Sequence, residues 1–76
     1  MNVEQAFGTV IKKYRLELSM SQEKLAFESG LDRTYISLLE RGKRRPTINT
    51  LFFISQVLGI PPHHIIIDIE KLIQKK

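Results

Sequence analysis

Apolar side chains recur along this chain at a helical period rather than an alternating one. Val3, Phe7, Val10, Ile11, Tyr14 and Leu18 fall at helical spacing, which places them on one stripe of a first helix. Ser19 and Met20 break that pattern. Ser21 then stands where its hydroxyl can accept a bond from a free backbone N–H, opening a second helix over roughly 22–28. Gly30 stops it, because glycine tolerates the left-handed conformation of a helix end. Asp32 caps a third helix over about 33–40, ended by Gly42, and Thr47 caps a fourth over roughly 48–58, ended by Gly59. Ile48, Leu51, Phe52, Ile54, Ser55 and Leu58 are assigned to the core side of that fourth helix. Pro62 suits the first turn of a last helix, in which Ile65, Ile66, Ile69, Leu72 and Ile73 share a face. Three successive β-branched residues from Ile65 to Ile67 favour a strand, so an edge strand over 64–69 is the alternative. The pattern predicts an all-α fold of five helices in one domain over 1–76.

Length and composition narrow this further. With 76 residues, the chain has room for one small core, and 42% apolar and 26% charged residues are ordinary globular usage. There is no cysteine, hence no disulfide and no thiolate metal site. His63 and His64 are adjacent, so their rings diverge on a helix. His64 with Asp68 would make only a two-ligand site, so no metal and no cofactor are expected. No apolar run is long enough to span a membrane, and the first residues carry no signal-peptide pattern. The expected location is the cytoplasm, with no membrane partner. No nucleophile–base pattern or glycine-rich phosphate loop points to an enzyme.

The charge is unevenly placed. The net charge is +4, and residues 33–45 alone hold Arg33, Arg41, Lys43, Arg44 and Arg45 against Glu40. The remainder of the chain is balanced, so the whole surplus lies in one short segment. Such a patch suits a polyanion, although a solvated surface run would look the same. The segment lies at the end of two short helices joined by a turn containing glycine, the arrangement of a helix-turn-helix over about 21–41. Leu25, Ala26, Leu31, Ile36 and Leu39 face inward. Arg33, Thr34, Ser37 and Leu38 are left outward near the start of the third helix, where DNA readers of this type present base-contacting side chains.

Residues 7–60 resemble the helix-turn-helix domain of the lambda-type repressors and Cro proteins. The likeness rests on Phe7-Gly8, Ile11, Tyr14-Arg15, Ser21-Gln22-Glu23, Leu25-Ala26, Gly30-Leu31, Arg33 to Ser37, Glu40 to Lys43, Pro46, Leu51 and Leu58-Gly59-Ile60. Within that family, the run Leu31 to Ser37 and the chain length look most like restriction–modification controller proteins. The resemblance implies base contacts from Arg33, Thr34, Ser37 and Leu38, the last through a thymine methyl or not at all. It implies phosphate contacts from Gln22, Tyr35, Lys43, Arg44 and Arg45, and an internal ion pair between Arg15 and Glu40. It also implies a bacterial or phage-encoded regulator that binds a palindromic double-stranded DNA operator as a homodimer, nucleoid-associated when bound, without a small-molecule effector.

The family position of Phe53 is commonly charged, so its phenylalanine marks a departure. Together with an apolar last segment over about 61–74, it suggests a dimer interface of Phe53, Val57, Ile65, Ile66, Ile69 and Ile73. Two alternatives remain. One is an antitoxin-type repressor whose last segment binds a different protein. The other is an interaction module that takes an acidic partner on the basic patch.

Overall fold

The computed structural model describes residues 1–74. Five helices follow one another: α1 (Val3–Glu17), α2 (Gln22–Ser29), α3 (Arg33–Glu40), α4 (Ile48–Leu58) and α5 (Pro62–Gln74). Local chemistry sets their ends. Asn2 and Gln5 form a reciprocal capping box at the start of α1, the Asn2 side chain accepting from the Gln5 backbone N–H at 2.7 Å. Ser21, Asp32 and Thr47 cap α2, α3 and α4 by accepting from Lys24, Thr34 and Thr50 backbone N–H groups. Gly30 and Gly59 end α2 and α4 with φ of 73° and 71°.

α2 and α3 have eight residues each, too short to be stable alone, so packing holds them. Ile11, Leu25, Ile36, Leu39, Ile54 and Ile65 are fully buried and draw all five helices onto one core. α1 lies against both α3 and α5, and α4 lies against α2 and α5. Gly8 permits the close crossing of α1 over the end of α3. A Cβ there would strike the Leu39 carbonyl oxygen and lie 2.6 Å from that of Glu40. The chain turns by 108° between α4 and α5, which folds α5 back over α1.

Several sequence expectations need correction. Val3 and Leu18, at the first turn and at the C-cap of α1, are exposed. Ile48 and Phe52 are also exposed. The buried stripe of α4 is Thr50, Leu51, Ile54, Ser55 and Leu58, and Phe52 lies ~100° further round the helix from Leu51. The edge strand over 64–69 is not formed; that stretch is helical. Pro62 starts the helix, and Ile65 and Ile69, one turn apart, bury against the core. That burial is worth about 1.5–3 kcal/mol per side chain, more than the few tenths that β-branching costs a helix. Ile65 and Ile69, which the sequence places in a dimer interface, are buried within the protomer, unlike Ile66 and Ile73. Among the described residues, no single helix is long and apolar enough to cross a membrane.

Candidate nucleic-acid interface

α3 is amphipathic, and its inward side chains fix which ones face out. Ile36 and Leu39 lie in the core, while Arg33 and Thr34 are exposed and Ser37 and Leu38 half-buried on the opposite side. The N-terminal turn of α3 is pinned by Asp32, whose carboxylate accepts from the Thr34 N–H at 2.9 Å.

The far end of α3 is fixed by charge. Arg15 donates from Nε to Glu40 Oε2 at 2.6 Å and from a terminal nitrogen to Oε1 at 2.9 Å. The two side chains retain only 8% and 2% exposure. Arg15 also donates to the Met20 carbonyl at 2.7 Å, which ties in the α1–α2 connection. Gln22 Nε2 donates to Glu40 Oε1 at 3.0 Å, so the first residue of α2 rests on the last residue of α3. Its second amide N–H is left for another acceptor. Among the described residues, no buried side-chain polar atom here lacks a partner.

Beyond α3 the chain reverses through Gly42 at a φ of 73°, and the Lys43 N–H closes the helix end on the Leu38 carbonyl at 2.9 Å. Lys43 and Arg44 are then exposed, and like Arg33 they pair with no carboxylate among the described residues. Arg45 differs: its Nε lies 3.6 Å from Glu4 Oε2. Arg41 folds back toward the Ser37 carbonyl. Tyr35 is half-buried with its hydroxyl 3.3 Å from Thr50 Oγ1, at the start of α4.

The structure divides the expected apolar interface. Phe53 and Val57 border a cleft with Glu28 and Ser29 of α2. Ile66 borders a separate groove with Val3, Pro46, Ile48 and Leu51, and Ile73 is exposed on the last turn of α5. Phe52 and Phe53 together flank the α4–α5 turn at Ile60 and Pro61.

Three features escaped the sequence reading. Phe27 is 86% exposed on α2, the Glu4–Arg45 pair joins the start of α1 to the basic loop, and the Tyr14 hydroxyl donates to Asp68. That last bond ties α1 to α5 and, with partial burial, pushes the Tyr14 hydroxyl up to about 12. None carries a local motif, since each joins segments distant in sequence or depends on what fails to cover a residue. Among the described residues, no three metal-ligating side chains come together.

The helix-turn-helix family profile matches residues 11–65. The control protein C.BamHI of Bacillus amyloliquefaciens is 48% identical over 62 residues, which cover 80% of this chain and 76% of that one. The control protein C.MunI of a Mycoplasma species is 42% identical over 71 residues, covering 92% and 96%. This chain belongs to the helix-turn-helix family, among the restriction–modification control proteins. Its members are non-enzymatic DNA-binding regulators of transcription. The fold agrees. The crystal structure of the restriction–modification controller protein C.Esp1396I superposes on the whole of this control protein and 97% of its own chain. The TM-score is 0.88 and the identity 41%. C.Esp1396I has also been solved as a tetramer on its natural 35-base-pair operator, and that structure matches with a TM-score of 0.87.

Proposed function

We propose that this control protein regulates transcription by binding a two-fold-related operator as a homodimer, with α3 in the major groove. The observation that carries this is α3 itself. It is held at both ends, by Asp32 and by the Arg15–Glu40–Gln22 network, while Arg33, Thr34, Ser37 and Leu38 face outward. Arg33 suits the O6 and N7 acceptors of guanine, which it can meet with two parallel bonds. Thr34 and Ser37 offer hydroxyls to neighbouring bases, and Leu38 an apolar contact to a thymine methyl. The second N–H of Gln22, the Tyr35 hydroxyl and the cations of Lys43, Arg44 and Arg45 serve the phosphates.

The DNA-reading unit covers about 21–41, within a single domain over 1–76. The dimerising surface is drawn from α4 and the segment 61–74, through Phe53, Val57, Ile66 and Ile73. A two-fold dimer of this kind puts its recognition helices ~34 Å apart, one DNA turn. The protein acts in the cytoplasm on double-stranded DNA, and its own concentration sets occupancy. Selection of sites from random duplexes tests the reading: a two-fold-symmetric consensus is expected, bound with log K falling by about 0.9 per phosphate neutralised for each decade of salt. Recovery of no consensus, with binding that ignores salt, overturns it.

A further inference from the structure

The basic loop carries an acidic neighbour that its own sequence does not supply. Glu4, on the first turn of α1, reaches Arg45 across the fold at 3.6 Å. That turn is not free to swing away. The Asn2–Gln5 capping box fixes it, and Gln5 packs so closely on Gly42 that an added Cβ there would lie 3.1 Å from the Gln5 Cα. The Glu4 carboxylate is therefore held at the flank of the loop, 28% exposed, while Arg45 stands 91% exposed. A pair this open to water adds little to folding. Glu4 lies close enough to attract the Arg45 guanidinium but makes no hydrogen bond to it, so the donor fork remains open to a phosphate that must outcompete this attraction.

We propose that Glu4 sets the affinity of this protein for DNA, its charge offsetting that of Arg45 in the free protein, where the two lie 3.6 Å apart, and giving way to a backbone phosphate on binding. The proposal rests on the assignment of loop 43–45 to the phosphates. Its effect is independent of base sequence and raises the protein concentration at which any duplex becomes occupied. A purely structural role is the rival account, since a carboxylate in the first turn also favours the helix dipole. That role would shift the melting temperature and leave DNA affinity alone.

The test is fluorescence anisotropy with a labelled duplex of arbitrary sequence, at low and high salt. It compares the wild type, Glu4→Gln, Arg45→Ala and the double variant, each checked by thermal melting. Glu4→Gln is expected to bind about two- to fivefold tighter at low salt, the range an exposed ion pair can supply. The gain should shrink at high salt and vanish in the Arg45→Ala background. Unchanged affinity in Glu4→Gln overturns the proposal. So does an equal gain with Arg45 absent, which would make Glu4 a general repulsive charge. Arg45→Ala binding as well as the wild type would instead strike the phosphate assignment of the loop, and is read separately from that variant alone.

Discussion

Replacing Glu40 by alanine removes the acceptor for three donors at once: two from Arg15, at 2.6 and 2.9 Å, and one from Gln22 at 3.0 Å. The Arg15 guanidinium, whose side chain is 8% exposed, then keeps only its bond to the Met20 carbonyl. A buried ion pair broken on one side costs about 3–5 kcal/mol, because the surviving charge is neither solvated nor paired. A chain of 76 residues has about 4–11 kcal/mol of stability in total, at 0.05–0.15 per residue. Glu40→Ala should therefore consume much of it. At roughly 4 °C or more per kcal/mol for a domain this small, the melting temperature should fall by at least ~12 °C. Circular dichroism during heating measures it. Removing both charges, as Arg15→Met with Glu40→Leu, should recover most of the loss, since apolar side chains of similar volume need no partner. A Glu40→Ala fall of under ~4 °C would refute the reasoning, because it would mean that water reaches Arg15. A double variant as unstable as the single would show that broken tethering, not an orphaned charge, carries the cost.

Gly8→Ala should cost at least about 1–3 kcal/mol by thermal melting, because its Cβ would meet the rigid backbone at the end of α3. Gly59→Ala meets no atom within 4 Å and should cost only the ~1–2 kcal/mol of its left-handed backbone. Tyr14→Phe should lose about 1.5 kcal/mol with the bond to Asp68. Because the Tyr14 hydroxyl ionises near 12 rather than the ordinary 10.0, its contribution is complete below pH 10 and is lost as pH rises toward 12. A stability–pH profile over that window should flatten in the phenylalanine variant. Phe53→Asp should leave the protomer folded, since the side chain is 47% exposed, yet yield monomers in sedimentation at micromolar concentration. A dimer that persists rules out that surface.

The fold was legible because each helix carries its own punctuation. Ser21, Asp32, Thr47, Gly30 and Gly59 stand at the observed ends, and the inward spacing of Leu25, Ile36 and Leu39 defines the outward face of α3. What escaped depended on packing partners. The face of α4 is chosen by where α2 and α5 lie, so Phe52 and Ile48, though spaced like core residues, remain outside. The isoleucines of α5 divide for the same reason. Ile65 and Ile69 are buried while Ile66 and Ile73 stay exposed, and periodicity alone cannot separate core from interface on a helix apolar around so much of its circumference. In the candidate site, composition marked the basic loop, but the Glu4–Arg45 pair spans 41 positions and has no local signature.

In the proposed function α3 reads bases while the loop after it holds the backbone. Comparing the selected DNA sites of Arg33→Ala and Lys43→Ala with those of the wild type tests this division of labour most directly. Arg33→Ala should lose about 1–3 kcal/mol on the preferred site and relax the base preference at one position of each half-site. Lys43→Ala should weaken every sequence alike and flatten the salt dependence by about 0.9 for each phosphate no longer neutralised. Identical sequence profiles for the two variants would contradict the placement of the recognition helix.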